Sequence, residues 1–87
     1  MKQFTYTITD ALGIHARPAG QLAKLAKSYG PDTTATLTKG EKTVKLSQLM
    51  MLMGLAVKKD TEVTVAVEGA AEAEAYDALL KFFEENL

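Results

Sequence analysis

His15 is the residue whose type and surroundings could most readily do chemistry, because it lies in the string Gly-Ile-His-Ala-Arg-Pro at positions 13–18. An imidazole nitrogen can act as a nucleophile and form a covalent intermediate. The Arg17 guanidinium can make charge-assisted hydrogen bonds to phosphoryl oxygens. Gly13 permits a tight bend before the histidine, and Pro18 suits the first turn of a helix, where its missing N–H is no loss. The string therefore predicts a helix N-terminus, whose free N–H groups and dipole favour a phosphate.

The same residues also fit a purely structural role. His15 can be a surface histidine and Arg17 a solvated charge at a helix start, since a single short motif rarely decides a function. The structural role predicts that removal of His15 changes nothing in a phosphotransfer assay. The residue types and their spacing leave both interpretations open.

Composition argues against several other functions. The 87 residues allow one domain, residues 1–87. Ten basic against eleven acidic side chains give a net charge of −1, so non-specific nucleic-acid binding is not expected. Cysteine is absent and His15 is the sole histidine, so we expect no metal site and no cofactor.

No apolar run approaches the ~20 residues that span a bilayer, and a signal pattern is absent. We expect a cytoplasmic protein without membrane insertion.

The elements that must position His15 follow from hydrophobic periodicity. Alternating residues predict strands over 4–8, 33–37, 43–46 and 61–67, the second and third joined as a hairpin. Helical spacing predicts helices from 16 to about 29, from the residue after Ser47 to Met53, and after Gly69, with Ala71, Ala75, Ala78, Leu79 and Phe82 defining the last. Gly30-Pro31 is expected to end the first helix, and Ser47 to cap the second.

This element order, β-α-β-β-α-β-α, indicates the α+β class. We expect a two-layer open-faced sandwich, in which three helices cover one face of a four-stranded antiparallel sheet. The order of the strands within the sheet does not follow from the pattern, and many unrelated functions use such layouts.

The string at 13–19, its distance from the N-terminus and the order of elements after it resemble the HPr family, the histidine-containing phosphocarriers of the bacterial sugar phosphotransferase system. The resemblance covers essentially the whole chain. It implies that His15 accepts a phosphoryl group on its pros nitrogen, Nδ1, from phospho-enzyme I and passes it to the IIA component of a sugar permease. Arg17 would be the phosphate-site arginine, and the backbone at Ala16, Pro18 and Ala19 would hold the group.

Basic and apolar residues beyond this string are candidates for partner docking. The resemblance implies that Lys24 and Lys27 help to dock partners, although a solvated helix face explains them equally well. It also implies that Leu49, Met50 and Met53 form an exposed patch, and flexible methionines suit a surface that meets unlike partners.

The apolar run at 49–53 has a second interpretation. Helical spacing alone predicts an inward stripe of Leu46, Leu49, Met50 and Met53. The resemblance instead implies that Leu46 and Leu52 point into the core. We favour the second arrangement, because an uninterrupted apolar run on a short helix leaves some of its residues exposed.

Two positions depart from the family pattern. Leu12 stands where many relatives have a small polar residue, and this removes a neighbour of the phosphoryl group. Gln48 stands at the place of the regulatory serine of Gram-positive relatives, with Ser47 one residue earlier. A phosphoryl group on Ser47 would add charge beside the apolar patch, but a capping role explains this serine as well, and we favour the capping role.

The sequence thus predicts a monomeric phosphocarrier, not an enzyme with a small-molecule substrate, whose partners are enzyme I and enzyme IIA proteins. One alternative is a regulatory paralogue that binds a kinase or a transcription regulator through the patch. The other is a binding domain without phosphoryl chemistry. Which sugar is transported, and whether a sugar or a nitrogen-type branch is served, does not follow from the sequence.

Overall fold

The computed structural model describes residues 1–30 and 32–87 and contains four strands and three helices. In chain order they are β1 Lys2–Thr7, α1 Ala16–Lys27, β2 Thr33–Lys39, β3 Lys42–Lys45, α2 Leu49–Gly54, β4 Glu62–Gly69 and α3 Glu72–Asn86. Each predicted element is present. The predicted end of the first helix falls partly on Pro31, which lies outside the described residues, and α1 ends two residues before the expected 29.

The strands form one antiparallel sheet in the order β1-β4-β2-β3. Its centre is the β2–β4 pair, with Thr36 opposite both Ala66 of β4 and Lys45 of β3. Along β4, Val63, Val65 and Val67 are buried, while the residues between them are half-buried. This alternation means that the apolar side chains of β4 point to one face of the sheet. The expected four-stranded antiparallel sheet with three helices is confirmed.

The two long helices bury one stripe each. In α1 the buried residues are Pro18, Ala19, Leu22, Ala23 and Ala26, and the last four have the i, i+3, i+4, i+7 spacing of one helix face. In α3 they are Ala75, Leu79 and Phe83, which follow one another at the four-residue spacing of a helix face. Phe82 lies in this helix as predicted and packs, half-buried, against the core, whereas the adjacent Phe83 is fully buried against Phe4 and Tyr6.

The start of α2 also differs from the prediction. Gln48, not Ser47, is the N-cap, and no side chain caps the helix. The Gln48 N–H donates to the Lys45 carbonyl at 3.1 Å, and the Leu52 N–H donates to the Gln48 carbonyl at 2.9 Å. A turn therefore occupies residues 46 and 47, so the helix begins one residue later and Ser47 is not a capping residue.

Among residues 1–30 and 32–87, no helix has both the length and the apolar character needed to cross a membrane.

Candidate functional site

The His15 loop, residues 8–15, connects β1 to α1 and is held by backbone hydrogen bonds. The Gly13 N–H donates to the Asp10 carbonyl and the Ile14 N–H to the Val57 carbonyl, both at 2.9 Å. Gly13 has a φ of +66°, and a Cβ there would overlap the Val57 carbonyl oxygen and lie 2.6 Å from the Lys58 Cα. Only glycine fits that conformation and that space, so the predicted tight bend is confirmed and fixes the position of the next two residues.

His15 is the N-cap of α1, with extended backbone and no side-chain capping bond. Ala16 and Arg17 are the first two residues of the helix, and their N–H groups have no hydrogen-bond partner in the described part of the chain. Pro18 has no N–H, and the Ala19 N–H is already donated to the His15 carbonyl at 2.9 Å. Of the three backbone positions expected to hold a phosphate, only Ala16 has a free N–H group. Pro18 and Ala19 have no free N–H to donate, and Arg17, which was not among the expected backbone positions, has one.

A cleft of about 280 Å³ lies in front of this helix start. The His15 side chain lines it and is 38% exposed, and Arg17 on the same wall is exposed. The cleft is lined by Asp10, His15, Arg17, Pro18, Gln21 and Asn86. The structure thus brings the predicted histidine and arginine together at one surface depression, where both can reach a group carried by another molecule.

Three residues of this cleft, Asp10, Gln21 and Asn86, were not anticipated from the sequence. One carboxylate oxygen of Asp10, Oδ2, lies 3.7 Å from His15 Nε2, and the other, Oδ1, accepts the Leu12 N–H at 3.2 Å. Asp10 stands five positions before the histidine, so its nearness in the chain was an available signal. Asn86 belongs to the end of α3, and only the packing of α3 brings it to the cleft.

Four large apolar side chains of α2 are exposed to solvent and form what we call the exposed apolar patch. Their exposed fractions are 37% for Leu49, 80% for Met50, 55% for Met51 and 39% for Met53. Leu46 and Leu52 are fully buried. The arrangement implied by the family resemblance is therefore confirmed for exposure, and the inward stripe from helical spacing is wrong at Leu49, Met50 and Met53. Met51 was not anticipated as part of the patch.

Two lysines lie on α1, the helix that packs against α2. Lys24 and Lys27 are exposed on α1, and α1 is in contact with α2. Lys27 also lines a second cleft of about 430 Å³, together with Lys45 and the half-buried Ser47. Lys24 instead lines a depression with Phe82 of α3, so of the two lysines Lys27 lies nearer to the residues that precede α2.

Leu12 is 70% exposed at the outer side of the His15 loop. Its N–H donates to Asp10 Oδ1 at 3.2 Å, and its side chain is not part of the cleft lining. Within residues 1–30 and 32–87, no three His, Cys, Asp or Glu side chains are grouped so that they could hold a metal ion.

Comparison with known proteins gives consistent matches. The family model for the PTS HPr component phosphorylation site matches residues 2–85. Phosphocarrier protein HPr of Lysinibacillus sphaericus is 39% identical over 79 residues, covering 91% of this chain and 88% of the relative. The structure of a histidine-containing phosphocarrier protein of Mycoplasma matches with a TM-score of 0.91 at 33% identity, covering 97% of this chain and 93% of the other. An HPr dimer from Thermoanaerobacter tengcongensis matches with a TM-score of 0.75 at 32% identity, covering 98% and 95%.

Proposed function

Since the chain belongs to the HPr family, the phosphocarriers of the phosphotransferase system, we propose that His15 is its phosphoacceptor. In this proposal His15 receives a phosphoryl group from phospho-enzyme I and passes it to an enzyme IIA. The observation that carries the proposal is the position of His15 at the N-cap of α1, with an exposed imidazole beside the unpaired N–H groups of Ala16 and Arg17.

The helix start supplies the electrostatics of the phosphorylated state. The free N–H groups of Ala16 and Arg17 and the Arg17 guanidinium can donate hydrogen bonds to phosphoryl oxygens. The helix dipole contributes about 0.3–2 kcal/mol to such an anion, depending on its exposure. Stabilisation of this modest size holds the group without trapping it. A carrier needs that balance, because the phosphoryl group must leave again.

Transfer between proteins, and not turnover of a small substrate, suits the shape of this site. The imidazole is 38% exposed and Arg17 lies at the surface, so another protein can bring its own reacting atom to His15. Small-molecule substrates are usually buried deeply in pockets lined by apolar side chains, whereas five of the six residues that line this cleft are polar or charged. We therefore propose a carrier that is not itself an enzyme.

The exposed apolar patch, together with Lys24 and Lys27, is the proposed docking surface for both partners. Apolar side chains can bury area against a partner, and the lysines can attract an acidic one. Docking to a protein requires that His15 and the patch stay uncovered, so we propose that the monomer is the transferring form. We also propose that it works in the cytoplasm, which rests on its membership of the HPr family.

The relay can be tested by intact-mass spectrometry at neutral to alkaline pH. Wild-type protein and His15→Ala are incubated with phosphoenolpyruvate and enzyme I, and enzyme IIA is added afterwards. We expect one phosphoryl group on the wild type, its loss to enzyme IIA, and no phosphorylation of His15→Ala.

A wild-type chain that stays unphosphorylated beside a working enzyme I would exclude the carrier function. It would leave the exposed apolar patch as the surface of a binding protein. Phosphorylation without discharge to enzyme IIA would contradict the relay and favour the regulatory paralogue.

A further inference from the structure

Asp10 is the charged residue of the cleft that the proposed function does not use. We propose that Asp10 is a positioning residue for His15: its carboxylate keeps the imidazole proton on Nε2 and leaves the lone pair of Nδ1 free to accept the phosphoryl group. The proposal rests on His15 being the phosphoacceptor at Nδ1, and it adds the residue that keeps this nitrogen free of a proton.

The His15 loop fixes Asp10 from three sides. Its N–H donates to the Leu87 carbonyl at 2.8 Å, and its own carbonyl accepts the Gly13 N–H at 2.9 Å. Its Oδ1 accepts the Leu12 N–H at 3.2 Å. These contacts leave Oδ2 directed at His15 Nε2, at 3.7 Å. Two backbone hydrogen bonds and one hydrogen bond to the carboxylate therefore position Asp10, and none of them involves His15.

The interaction between the two side chains is electrostatic in this geometry, because 3.7 Å is longer than a hydrogen bond. A carboxylate attracts an N–H and repels a nitrogen lone pair, so it favours the tautomer with the proton on Nε2. A buried aspartate beside a histidine holds the imidazole tautomer in the same way in the serine-protease triad. Asp10 is 30% exposed, so water weakens this effect without removing it.

The other charged residue of the cleft, Arg17, forms no direct ion pair with Asp10. Arg17 lines the same depression, yet within the described residues no nitrogen of Arg17 lies within 4.0 Å of a carboxylate oxygen. The negative charge of Asp10 therefore acts on the Nε2 side of the ring. The free N–H groups of Ala16 and Arg17 remain available to the phosphoryl group.

The transfer step shows why this charge matters. The Nδ1 lone pair forms the bond to phosphorus while the donor's bond to phosphorus breaks, and the electron pair of that bond returns to the donor. Nε2 keeps its proton throughout, so the ring gains positive charge as the new bond forms. A fixed carboxylate next to Nε2 stabilises this developing charge, and no other base is needed to take up a proton during the transfer.

The test uses the unphosphorylated full chain labelled with ¹⁵N, at alkaline pH where imidazoles are neutral. Asp10→Asn keeps an oxygen for the Leu12 N–H but loses the charge, and its amide can both donate and accept. We expect the ratio of the Nε2–H to the Nδ1–H tautomer of His15 to fall roughly threefold to tenfold, which corresponds to the net free-energy contribution of one polar interaction. Asp77→Asn, at an exposed position of α3, is the control and should leave the ratio unchanged.

The same variants are then compared for the rate at which they accept a phosphoryl group from enzyme I. We expect a loss of similar size in Asp10→Asn, with an unchanged circular dichroism spectrum. An Asp10→Asn protein with the wild-type tautomer ratio and rate would overturn the proposal. An effect confined to Asp10→Ala would also overturn it, since Asp10 would then matter only as the acceptor of the Leu12 N–H.

Failure of the two proposals can be told apart. The tautomer ratio is measured without any phosphoryl donor, so it remains readable even if the wild-type chain accepts no phosphate. In that case the phosphoacceptor role of His15 falls and this inference falls with it as a statement about transfer. A normal wild-type rate combined with an unchanged tautomer ratio in Asp10→Asn removes only the role of Asp10.

Discussion

The His15 loop and the α2 segment, residues 46–57, meet at Val57 but are built in opposite ways. In the loop, backbone hydrogen bonds and a glycine without space for a Cβ fix each position. In α2, a helix of six residues without capping side chains is anchored by the buried Leu52, and the adjoining Leu55 is buried as well. The four residues of the exposed apolar patch lie on this same helix. Phosphoryl chemistry needs atoms held within a fraction of an ångström, whereas a surface for unlike partners benefits from flexible side chains.

The strongest way to break this comparison is to make the same substitution in both regions. Gly13→Ala places a methyl group against the Val57 carbonyl and Lys58 Cα at a φ of +66°, so we expect a loss of about 3 kcal/mol in the free energy of unfolding. Gly54→Ala meets nothing within 4 Å and should be neutral or stabilising by up to ~1 kcal/mol. Urea denaturation measures both. Equal losses in the two variants would show that the loop is no more constrained than α2.

A charge placed in the exposed apolar patch tests whether α2 serves recognition. Met50 is 80% exposed, so Met50→Asp should change the free energy of unfolding by less than about 0.5 kcal/mol. It should lower the rate of phosphoryl transfer at limiting protein concentration by roughly tenfold, because an interface loses apolar area and gains an unpaired charge. Ala73→Asp adds the same charge at an exposed position of α3 and is the control. Wild-type transfer by Met50→Asp would remove the patch from the docking surface.

The end of α2 offers a smaller test. Ala56 has a φ of +52°, a left-handed conformation at the end of a helix that favours glycine. The Lys39 ammonium donates to the carbonyls of Leu55 and Ala56 at 2.9 and 3.1 Å and so holds this turn. Ala56→Gly should stabilise the protein by about 1 kcal/mol, a rise of roughly 4–8 °C in Tm.

The helical Ala73→Gly is the matched control for Ala56→Gly, and calorimetry compares the two. We expect Ala73→Gly to lower Tm, because glycine is less favourable than alanine within a helix. A fall in Tm for Ala56→Gly as well would mean that this turn has no backbone strain to relieve.

Local pattern predicted most of the elements and the bend at Gly13, because periodicity and glycine conformation are properties of neighbouring residues. The order β1-β4-β2-β3 could not be predicted in this way, since it depends on pairing between strands far apart in the chain. The capping role of Ser47 failed for a different, local reason: the hydrogen bond from the Gln48 N–H to the Lys45 carbonyl places residues 46 and 47 in a turn before α2.

In the candidate site, too, residues close together in the chain could be predicted, whereas residues brought in by packing could not. His15 and Arg17 could be found because they stand in one short string, and the resemblance to a family placed them in a role. Asn86 could not, because 70 residues separate it from His15 and only the packing of α3 brings it to the cleft. Met51 was missed because the family resemblance implied a patch of Leu49, Met50 and Met53 only. Its exposed fraction of 55% is larger than those of Leu49 and Met53.

The central claim is that His15 carries the phosphoryl group on Nδ1, with the proton held on Nε2. It is tested most directly by NMR of the phosphorylated protein, with ¹⁵N in the imidazole and detection of coupling to ³¹P. The account predicts one-bond coupling between phosphorus and Nδ1 of His15, and a proton on Nε2. Coupling at Nε2, or phosphorus bound to a residue other than His15, would contradict it.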